Sequence, residues 1–203
     1  MTPVLLIRHG RTSWNSEGRI QGHTDIPLSA AGRAALEGSR VPAEYERFRW
    51  YASPLSRAVE TAELLGAREL KIDPRLVELR WGEWEGSTKP DMRERYGDAF
   101  AENEARGLDF RPPGGESPRE LRTRLEDWLV DVCAAEVPAV AVTHKGVIQM
   151  ALALATGWDL VSRAPVRLDW GCAQQFSVSG TPPRLRLEGP NVALRSPRDE
   201  PGD

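Results

Sequence analysis

Two short and entirely apolar segments constrain the fold of this 203-residue chain more than any other feature. They are Val4–Ile7 near the N-terminus and Ala139–Val142 in the second half of the chain. A strand with apolar side chains on both faces has to be covered on both faces, as a central strand is in a parallel sheet flanked by helices. The two segments therefore predict an α/β fold.

Helical and extended segments alternate along the rest of the chain, which supports this fold class. Ser29, Ser53 and Ser117 are expected N-caps, and Glu120 completes a capping box with Ser117. The predicted helices are Ser29–Arg40, Ser53–Gly66, one or two within Pro90–Arg106, Ser117 to about Glu136, and Gly146–Thr156; the further strands are Trp50–Ala52, Glu69–Ile72, Ala173–Val178 and Leu185–Leu187. This order predicts a three-layer α/β/α sandwich with a mostly parallel central sheet.

The length predicts a single domain, over residues 1–194, followed by a polar tail at 195–203 that we expect to be disordered. The 27 Lys and Arg residues against 30 Asp and Glu residues leave a net charge of −3, so no basic excess is available to hold a nucleic-acid backbone. No apolar run approaches the roughly 20 residues needed to cross a bilayer, and the first residues lack the features of a signal peptide.

The two cysteines, Cys133 and Cys172, have no metal-ligand spacing and are expected to stay reduced. We therefore expect a cytoplasmic protein with no metal or other cofactor. We further expect a monomer or homodimer, and the charge balance and the absence of a long apolar run predict that it binds neither nucleic acid nor a membrane.

Histidines and cations follow three of the predicted strands. Arg8 and His9 come directly after the first strand, Arg57 lies shortly after the second, and His144 and Lys145 follow the strand at Ala139–Val142. Ligands of an open α/β sheet bind beyond the carboxyl ends of its strands. The two later segments also begin helices, whose free N–H groups attract anions.

Neutral residues near these strand ends are further candidates for the same pocket. They are Asn15, Gln21, Gly22 and Thr143. A single histidine at a strand end is usually structural, and a single arginine early in a helix is usually solvated. Their joint occurrence predicts an anion site, most simply for phosphate, but the spacing does not identify a reaction.

The sequence resembles the histidine phosphatase superfamily, which includes the cofactor-dependent phosphoglycerate mutases. The similar segments keep the family's order between residue 4 and about residue 155. They are Leu6–Thr12, Trp14–Asn15, Gly18–Gly22, Asp25–Ser29, Ser53–Ala58, Thr61–Ala62, Glu78–Gly86, Gly114–Ser117 and Thr143–His144. The resemblance implies a phosphoglycerate mutase-like fold.

The resemblance also implies a role for each residue of the central motifs. His9 would be the nucleophile that forms a phosphohistidine, and Arg8, Arg57 and His144 would hold the phosphoryl group. The general acid and base is a carboxylate, and on composition alone it could be any of Glu78, Glu83 and Glu85. The family pattern selects the first of them, Glu78.

The expected function is hydrolysis of the phosphomonoester of a small phosphorylated metabolite. The alternatives are a cofactor-dependent phosphoglycerate mutase and a catalytically silent protein that binds a phosphorylated ligand. The stretch 87–113 is shorter than in true mutases, which favours the phosphatase. Family members often have glycine after the second catalytic histidine, and Lys145 in its place either reaches substrate phosphate or, as we expect, points to solvent.

Overall fold

The two apolar segments form adjacent strands at the centre of a six-stranded sheet. The computed structural model describes residues 1–195. The strands are β1 (Thr2–Arg8), β2 (Arg49–Ala52), β3 (Leu70–Ile72), β4 (Ala139–Thr143), β5 (Ala173–Ser179) and β6 (Arg184–Val192). The helices are α1 (Ser13–Ser16), α2 (Ala30–Leu36), α3 (Ser56–Leu64), α4 (Lys89–Tyr96), α5 (Asp98–Glu104), α6 (Pro118–Ala135) and α7 (Lys145–Thr156).

The strand order is β3-β2-β4-β1-β5-β6. β4 pairs in parallel with β1 on one side and with β2 on the other, and β3 continues the parallel pairing beyond β2. β5 runs antiparallel to both of its neighbours, β1 and β6. The prediction of a mostly parallel sheet is confirmed.

Successive side chains of the central strands enter two separate apolar clusters, one on each face of the sheet. Val4 and Leu6 pack with residues of α6 and α7, whereas Leu5 and Ile7 pack with residues of α3. This division follows from the alternation of side chains along a strand. It confirms the three-layer arrangement, with helices covering both faces of the sheet.

Of the three predicted helix caps, those at Ser29 and Ser117 are present and the one at Ser53 is not. Ser117 and Glu120 form the predicted capping box at the start of α6. Ser29 caps α2, but this helix ends at Leu36 instead of Arg40, because the chain turns through Gly38 at a φ of 73°. The prediction of an N-cap at Ser53 is wrong, since α3 begins at Ser56 and the Ser53 hydroxyl has another partner.

Arg195, which we assigned to a disordered tail, pairs with Arg40 through two backbone hydrogen bonds of 2.9 and 2.8 Å. Its guanidinium also forms an ion pair with Glu46. The rest of the predicted tail, residues 196–203, lies outside the described residues.

No helix in residues 1–195 combines the length and the apolar composition that crossing a bilayer requires.

The stability of α6 is predicted to depend on Trp128, which is fully buried and packs edge-on against Tyr51. We expect Trp128→Ala to lower the free energy of unfolding by about 3–5 kcal/mol, because it leaves a large cavity. Val130→Ala, on the same helix but partly exposed, should cost less than about 1 kcal/mol. Denaturant unfolding of both variants checks this, and similar losses would contradict the packing described.

Candidate active site

The central strands β1, β4 and β2 end level with one another. This brings the residues that follow them, His9, His144 and Ser53, to one edge of the sheet. Arg8 of β1 pairs with Thr143 of β4, and β2 pairs with the other side of β4 up to Ala52. The ladder continues past the strands, because His9 N–H donates to the Thr143 carbonyl at 2.9 Å. On the other side Ser53 N–H donates to the Val142 carbonyl at 3.0 Å. His144, at the end of β4, therefore lies between His9 and Ser53.

His9 is held in one tautomer. Its Nδ1 lies 2.7 Å from the carbonyl oxygen of Gly10, and a carbonyl can only accept, so Nδ1 carries the proton. Nε2 consequently presents a lone pair. The imidazole is 7% exposed, and burial, followed by repulsion from Arg57 and Arg8, lowers the pKa of His9 to about 3.

Thr61, on α3, fixes the turn that follows His9. Its hydroxyl accepts a hydrogen bond from Gly10 N–H at 2.9 Å and donates to the carbonyl of Arg57 at 2.6 Å. The turn after β1 is thereby tied to the first turns of α3. Thr61 lies in one of the segments that carry the family resemblance, but nothing in its spacing indicates this contact.

His144 is completely buried beside His9, with ring centroids 5.1 Å apart. Its Nε2 lies 2.7 Å from the hydroxyl oxygen of Ser53, whereas its Nδ1 is buried without a partner among the described residues. Burial, and then the neighbouring His9 and Arg57, lower the pKa of His144 well below its usual value. Both imidazoles are therefore neutral near neutral pH.

The two predicted arginines carry unmatched donors. Arg57 is fully buried and donates to the carbonyls of Gly22 at 2.7 Å and Thr24 at 3.0 Å. Its Nε has no partner within residues 1–195, and neither does the buried Nε of Arg8. Donors that are buried and unmatched indicate an acceptor that arrives with a ligand.

Gln21 supplies a further unmatched donor. Its side-chain oxygen accepts hydrogen bonds from the Thr12 hydroxyl at 3.0 Å and the Asn15 amide at 3.1 Å, which leaves its buried Nε2 without a partner in the described part of the chain. Asn15, one of the residues predicted for the pocket, donates to Gln21 and so orients it.

Two of the residues predicted for the pocket, Thr143 and Gly22, make contacts within the protein. The Thr143 hydroxyl is fully buried and donates to the carbonyl of Leu76 at 2.7 Å. Gly22 contributes a carbonyl to Arg57, and a Cβ there would lie 2.2 Å from the carboxylate of Glu85. The sequence does not distinguish these roles, since both residues are small and lie beside site residues.

Glu78 lies at the N-terminus of α7. Its carboxyl oxygens accept hydrogen bonds from Gly146 N–H at 3.1 Å and Leu79 N–H at 2.8 Å. The residue is 7% exposed, and burial raises its pKa above the ordinary value of a glutamate. Gly146 is needed for this approach, because a Cβ at that position would lie 2.3 Å from Glu78 Oε1.

The two helix starts that are expected to attract an anion, those of α7 and α3, also have partners within the protein. One N–H at the start of α7 is occupied by Glu78, and at the start of α3 Asp25 accepts hydrogen bonds from the backbone N–H and hydroxyl of Ser56. Both helices thus receive a carboxylate of the protein itself.

The backbone of Glu78 is anchored by residues that the spacing did not single out. Its carbonyl accepts hydrogen bonds from His23 Nε2–H at 2.8 Å and from Arg124 at 3.1 Å. Arg124 is itself held by Glu116 at 2.8 and 2.9 Å. Arg124 lies 46 residues from Glu78 in the chain, so only the structure reveals this support.

The two competing glutamates lie elsewhere. Glu83 is exposed. Glu85 accepts hydrogen bonds from the backbone N–H groups of His23, Thr24 and Trp81, and it therefore stabilises the loops that contain them.

Lys145 is exposed to solvent, as we expected. Its ammonium lies 5.7 Å from the centre of the Trp170 ring, and the guanidinium of Arg8 lies at the same distance from that ring. Trp170 belongs to the loop before β5 and was missed, because no motif marks that loop.

The comparison with known proteins agrees with this geometry. Residues 4–188 match the family model of the histidine phosphatase superfamily, branch 1. The chain belongs to that superfamily.

Histidine phosphatases of several names are similar to it. A glucosyl-3-phosphoglycerate phosphatase of Mycolicibacterium vanbaalenii is 32% identical over 199 residues, covering 87% of this chain and 84% of that protein. A probable 2-carboxy-D-arabinitol-1-phosphatase of Arabidopsis thaliana is 35% identical over 160 residues, covering 76% of this chain. The chain spans only a third (33%) of the length of the plant protein. Phosphoglycerate mutases are also among the relatives.

The crystal structure of a protein from Thermus thermophilus is similar in fold and sequence. It superposes with a TM-score of 0.71 at 34% identity, covering 94% of this chain and 99% of the other. The phosphoglycerate mutase-like α/β fold is confirmed.

The neutral state of His9 predicts a specific dependence of stability on pH. In the unfolded chain its pKa returns to about 6.5, so between that value and about 3 the unfolded state binds a proton that the folded state does not. Stability is therefore lost as the pH falls through this window, by up to about 1.4 kcal/mol per pH unit from this one group.

We expect His9→Gln to remove that contribution. Denaturant unfolding between about pH 6 and pH 4 should show a shallower loss of stability in His9→Gln than in the wild type. Parallel curves for the two proteins would contradict a neutral, buried His9.

Proposed function

We propose that this protein hydrolyses a small phosphomonoester through a phosphohistidine on His9. The observation that carries the proposal is the state of His9, which is neutral, holds its proton on Nδ1 and keeps a lone pair on Nε2. It lies beside buried donors that have no partner in residues 1–195. A nucleophile next to unmatched donors suits a reaction on a phosphoryl group.

In the first step Nε2 of His9 attacks the phosphorus in line with the ester oxygen. The bond between nitrogen and phosphorus forms as the bond to the ester oxygen breaks. Glu78 donates its proton to the departing alkoxide, and the elevated pKa of this buried carboxyl favours the protonated form that the step requires. The alcohol leaves, and Glu78 remains as a carboxylate.

The charge on the equatorial oxygens is stabilised by side chains. Nε of Arg57 and of Arg8 and Nε2 of Gln21 are free to donate. His144 joins them if the Ser53 hydroxyl donates to its Nε2, because the proton of His144 then resides on the unpartnered Nδ1. Donors fixed before the reaction stabilise developing charge without reorganisation.

In the second step a water molecule attacks the phosphohistidine. Glu78, now a carboxylate, takes the proton from the water, and the bond between phosphorus and His9 breaks. Inorganic phosphate leaves, His9 returns to the neutral imidazole, and Glu78 is again protonated. Glu78 thus acts as the acid in the first step and as the base in the second.

The proposal includes no metal and no organic cofactor, because the guanidinium groups of Arg8 and Arg57 provide positive charge at the transferring group. In residues 1–195 no three His, Cys, Asp or Glu side chains converge in a way that would hold a metal ion. The names of its phosphatase relatives support a small phosphorylated metabolite as the substrate. We further propose that the protein is cytoplasmic and acts as a monomer or homodimer.

Two variants test the roles of nucleophile and acid. His9→Ala should lower kcat for all esters by at least about a thousandfold, because the covalent route is lost. Glu78→Gln should lower kcat for an alkyl phosphate by about a hundredfold or more, and far less for p-nitrophenyl phosphate, whose leaving group needs no proton.

Glu83→Gln is the matched control, since Glu83 is exposed in the same segment and should not change either rate. Equal losses in Glu78→Gln with both esters would contradict the assignment of Glu78 as the acid. Full activity of His9→Ala would contradict the proposed nucleophile.

A mutase is the second candidate, because phosphoglycerate mutases share 31% identity with the chain over 146 residues in one case. Incubation with 3-phosphoglycerate in the presence of EDTA separates the two functions. We expect release of inorganic phosphate with little 2-phosphoglycerate. Fast isomerisation without phosphate release would overturn the phosphatase, and loss of activity that magnesium or zinc restores would overturn metal independence.

A further inference from the structure

A completely buried serine hydroxyl lies against the second histidine of the candidate site. Ser53 Oγ is 2.7 Å from Nε2 of His144, which is also completely buried. Either group can be the donor in this hydrogen bond, the serine O–H to a lone pair on Nε2 or the histidine Nε2–H to the hydroxyl oxygen. The direction decides which nitrogen of His144 carries the proton, because a neutral imidazole has a single N–H.

The surroundings of the hydroxyl favour the serine as the donor. Leu55 N–H donates to Ser53 Oγ at 3.4 Å, so the oxygen already accepts one hydrogen bond. Within residues 1–195 the hydroxyl proton of Ser53 has no acceptor other than Nε2 of His144. If Nε2 carried the proton instead, a buried O–H group would have no partner, and such groups are rare in folded proteins.

The other nitrogen of His144 agrees with this direction. His144 is the N-cap of α7, but its side chain accepts no hydrogen bond from that helix, whose Gly146 N–H donates to Glu78 instead. Nδ1 is buried and has no partner in the described part of the chain. A lone pair on Nδ1 would repel an anion, whereas an N–H there adds a donor to those of Arg8 and Arg57.

We infer that Ser53 is a positioning residue, whose hydroxyl donates to Nε2 of His144 and so keeps the proton on Nδ1 for an oxygen of the bound phosphoryl group. The contact joins the ends of two strands, since Ser53 follows β2 and His144 follows β4. His144 thereby binds the anion as a neutral donor. The part of Ser53 in phosphoryl transfer rests on the proposed function, but the tautomer of His144 and the binding of an anion do not.

Nuclear magnetic resonance observes the tautomer directly, because the chain has only three histidines. Two-bond proton–nitrogen correlation spectra of protein with isotope-labelled histidine show which ring nitrogen is protonated, and the signals lost in His144→Gln assign His144. We expect its proton on Nδ1 near neutral pH. His23 is the internal reference for the opposite tautomer, since its Nε2–H donates to the carbonyl of Glu78. A proton on Nε2 of His144, or on both nitrogens, would overturn the inference.

The same spectra test the contact with the anion in the wild-type protein. Saturation with inorganic phosphate should shift the Nδ1 signal of His144, because this N–H then gains an acceptor. The signals of His23 should not move. An unchanged His144 signal at saturating phosphate would overturn the inference without the need for any variant.

Ser53→Ala tests whether the serine sets the tautomer. A neutral histidine in water holds its proton mainly on Nε2, so loss of the hydroxyl should move the proton of His144 toward that nitrogen. Inorganic phosphate should then bind about threefold to tenfold more weakly in titration calorimetry, because a smaller fraction of the protein is in the donating tautomer.

Ser177→Ala is the matched control, because Ser177 is also a buried serine but donates to Glu188 on β6. It should change neither the tautomer nor the affinity for phosphate, and circular dichroism checks that both variants are folded. The role of Ser53 is overturned if Ser53→Ala keeps the wild-type tautomer, if it binds phosphate as tightly as the wild type, or if both serine variants lose affinity equally.

The outcome for the proposed function is read separately. If the wild type hydrolyses no phosphomonoester, while the Nδ1 tautomer and the Ser53-dependent binding of phosphate persist, the hydrolase proposal fails and the positioning role stands. If the wild type hydrolyses p-nitrophenyl phosphate but His144 carries its proton on Nε2, the positioning role fails and the hydrolase proposal stands.

Discussion

The candidate site depends on the in-register parallel pairing of β4 with β1 on one side and β2 on the other. Because the three strands end at one level, His9, His144 and Ser53 meet although they are far apart in the chain. β4 can occupy the centre because its five side chains are all buried, on both faces. The apolar composition of one short strand is thus the physical origin of the contact between two histidines.

Electrostatics then determine what this edge can bind. Burial, and then neighbouring positive charge, lowers the pKa of His9 and of His144 and keeps both neutral. Carboxylates of the protein accept a hydrogen bond from one N–H group at the start of α3 and one at the start of α7. Buried side-chain donors of Arg8, Arg57 and Gln21 have no partner in residues 1–195 and are free to pair with an anionic ligand. The absence of a Cβ at Gly146 lets Glu78 reach the same edge, so that a nucleophile, positive charge and a proton donor are brought together.

Much of this arrangement could be predicted from the sequence, because it depends on patterns that are local. The apolar strands, the capping box at Ser117 and the histidines after strands are of this kind. Ser53 was misassigned because a serine before a helix looks the same whether its hydroxyl caps that helix or bonds to a distant histidine. The contacts of Lys145 with Trp170 and of Arg124 with Glu78 join separate segments, and no local pattern encodes them.

The central claim is that the phosphoryl group resides on His9 during turnover, and rapid mixing tests it most directly. The wild-type protein is mixed with p-nitrophenyl phosphate, quenched in base, where phosphohistidine survives, and digested for mass spectrometry. The account predicts one phosphoryl group on the peptide that contains His9, and none in His9→Ala. Phosphorylation of another residue, or turnover of the wild type with no trapped phosphohistidine at any mixing time, would contradict it.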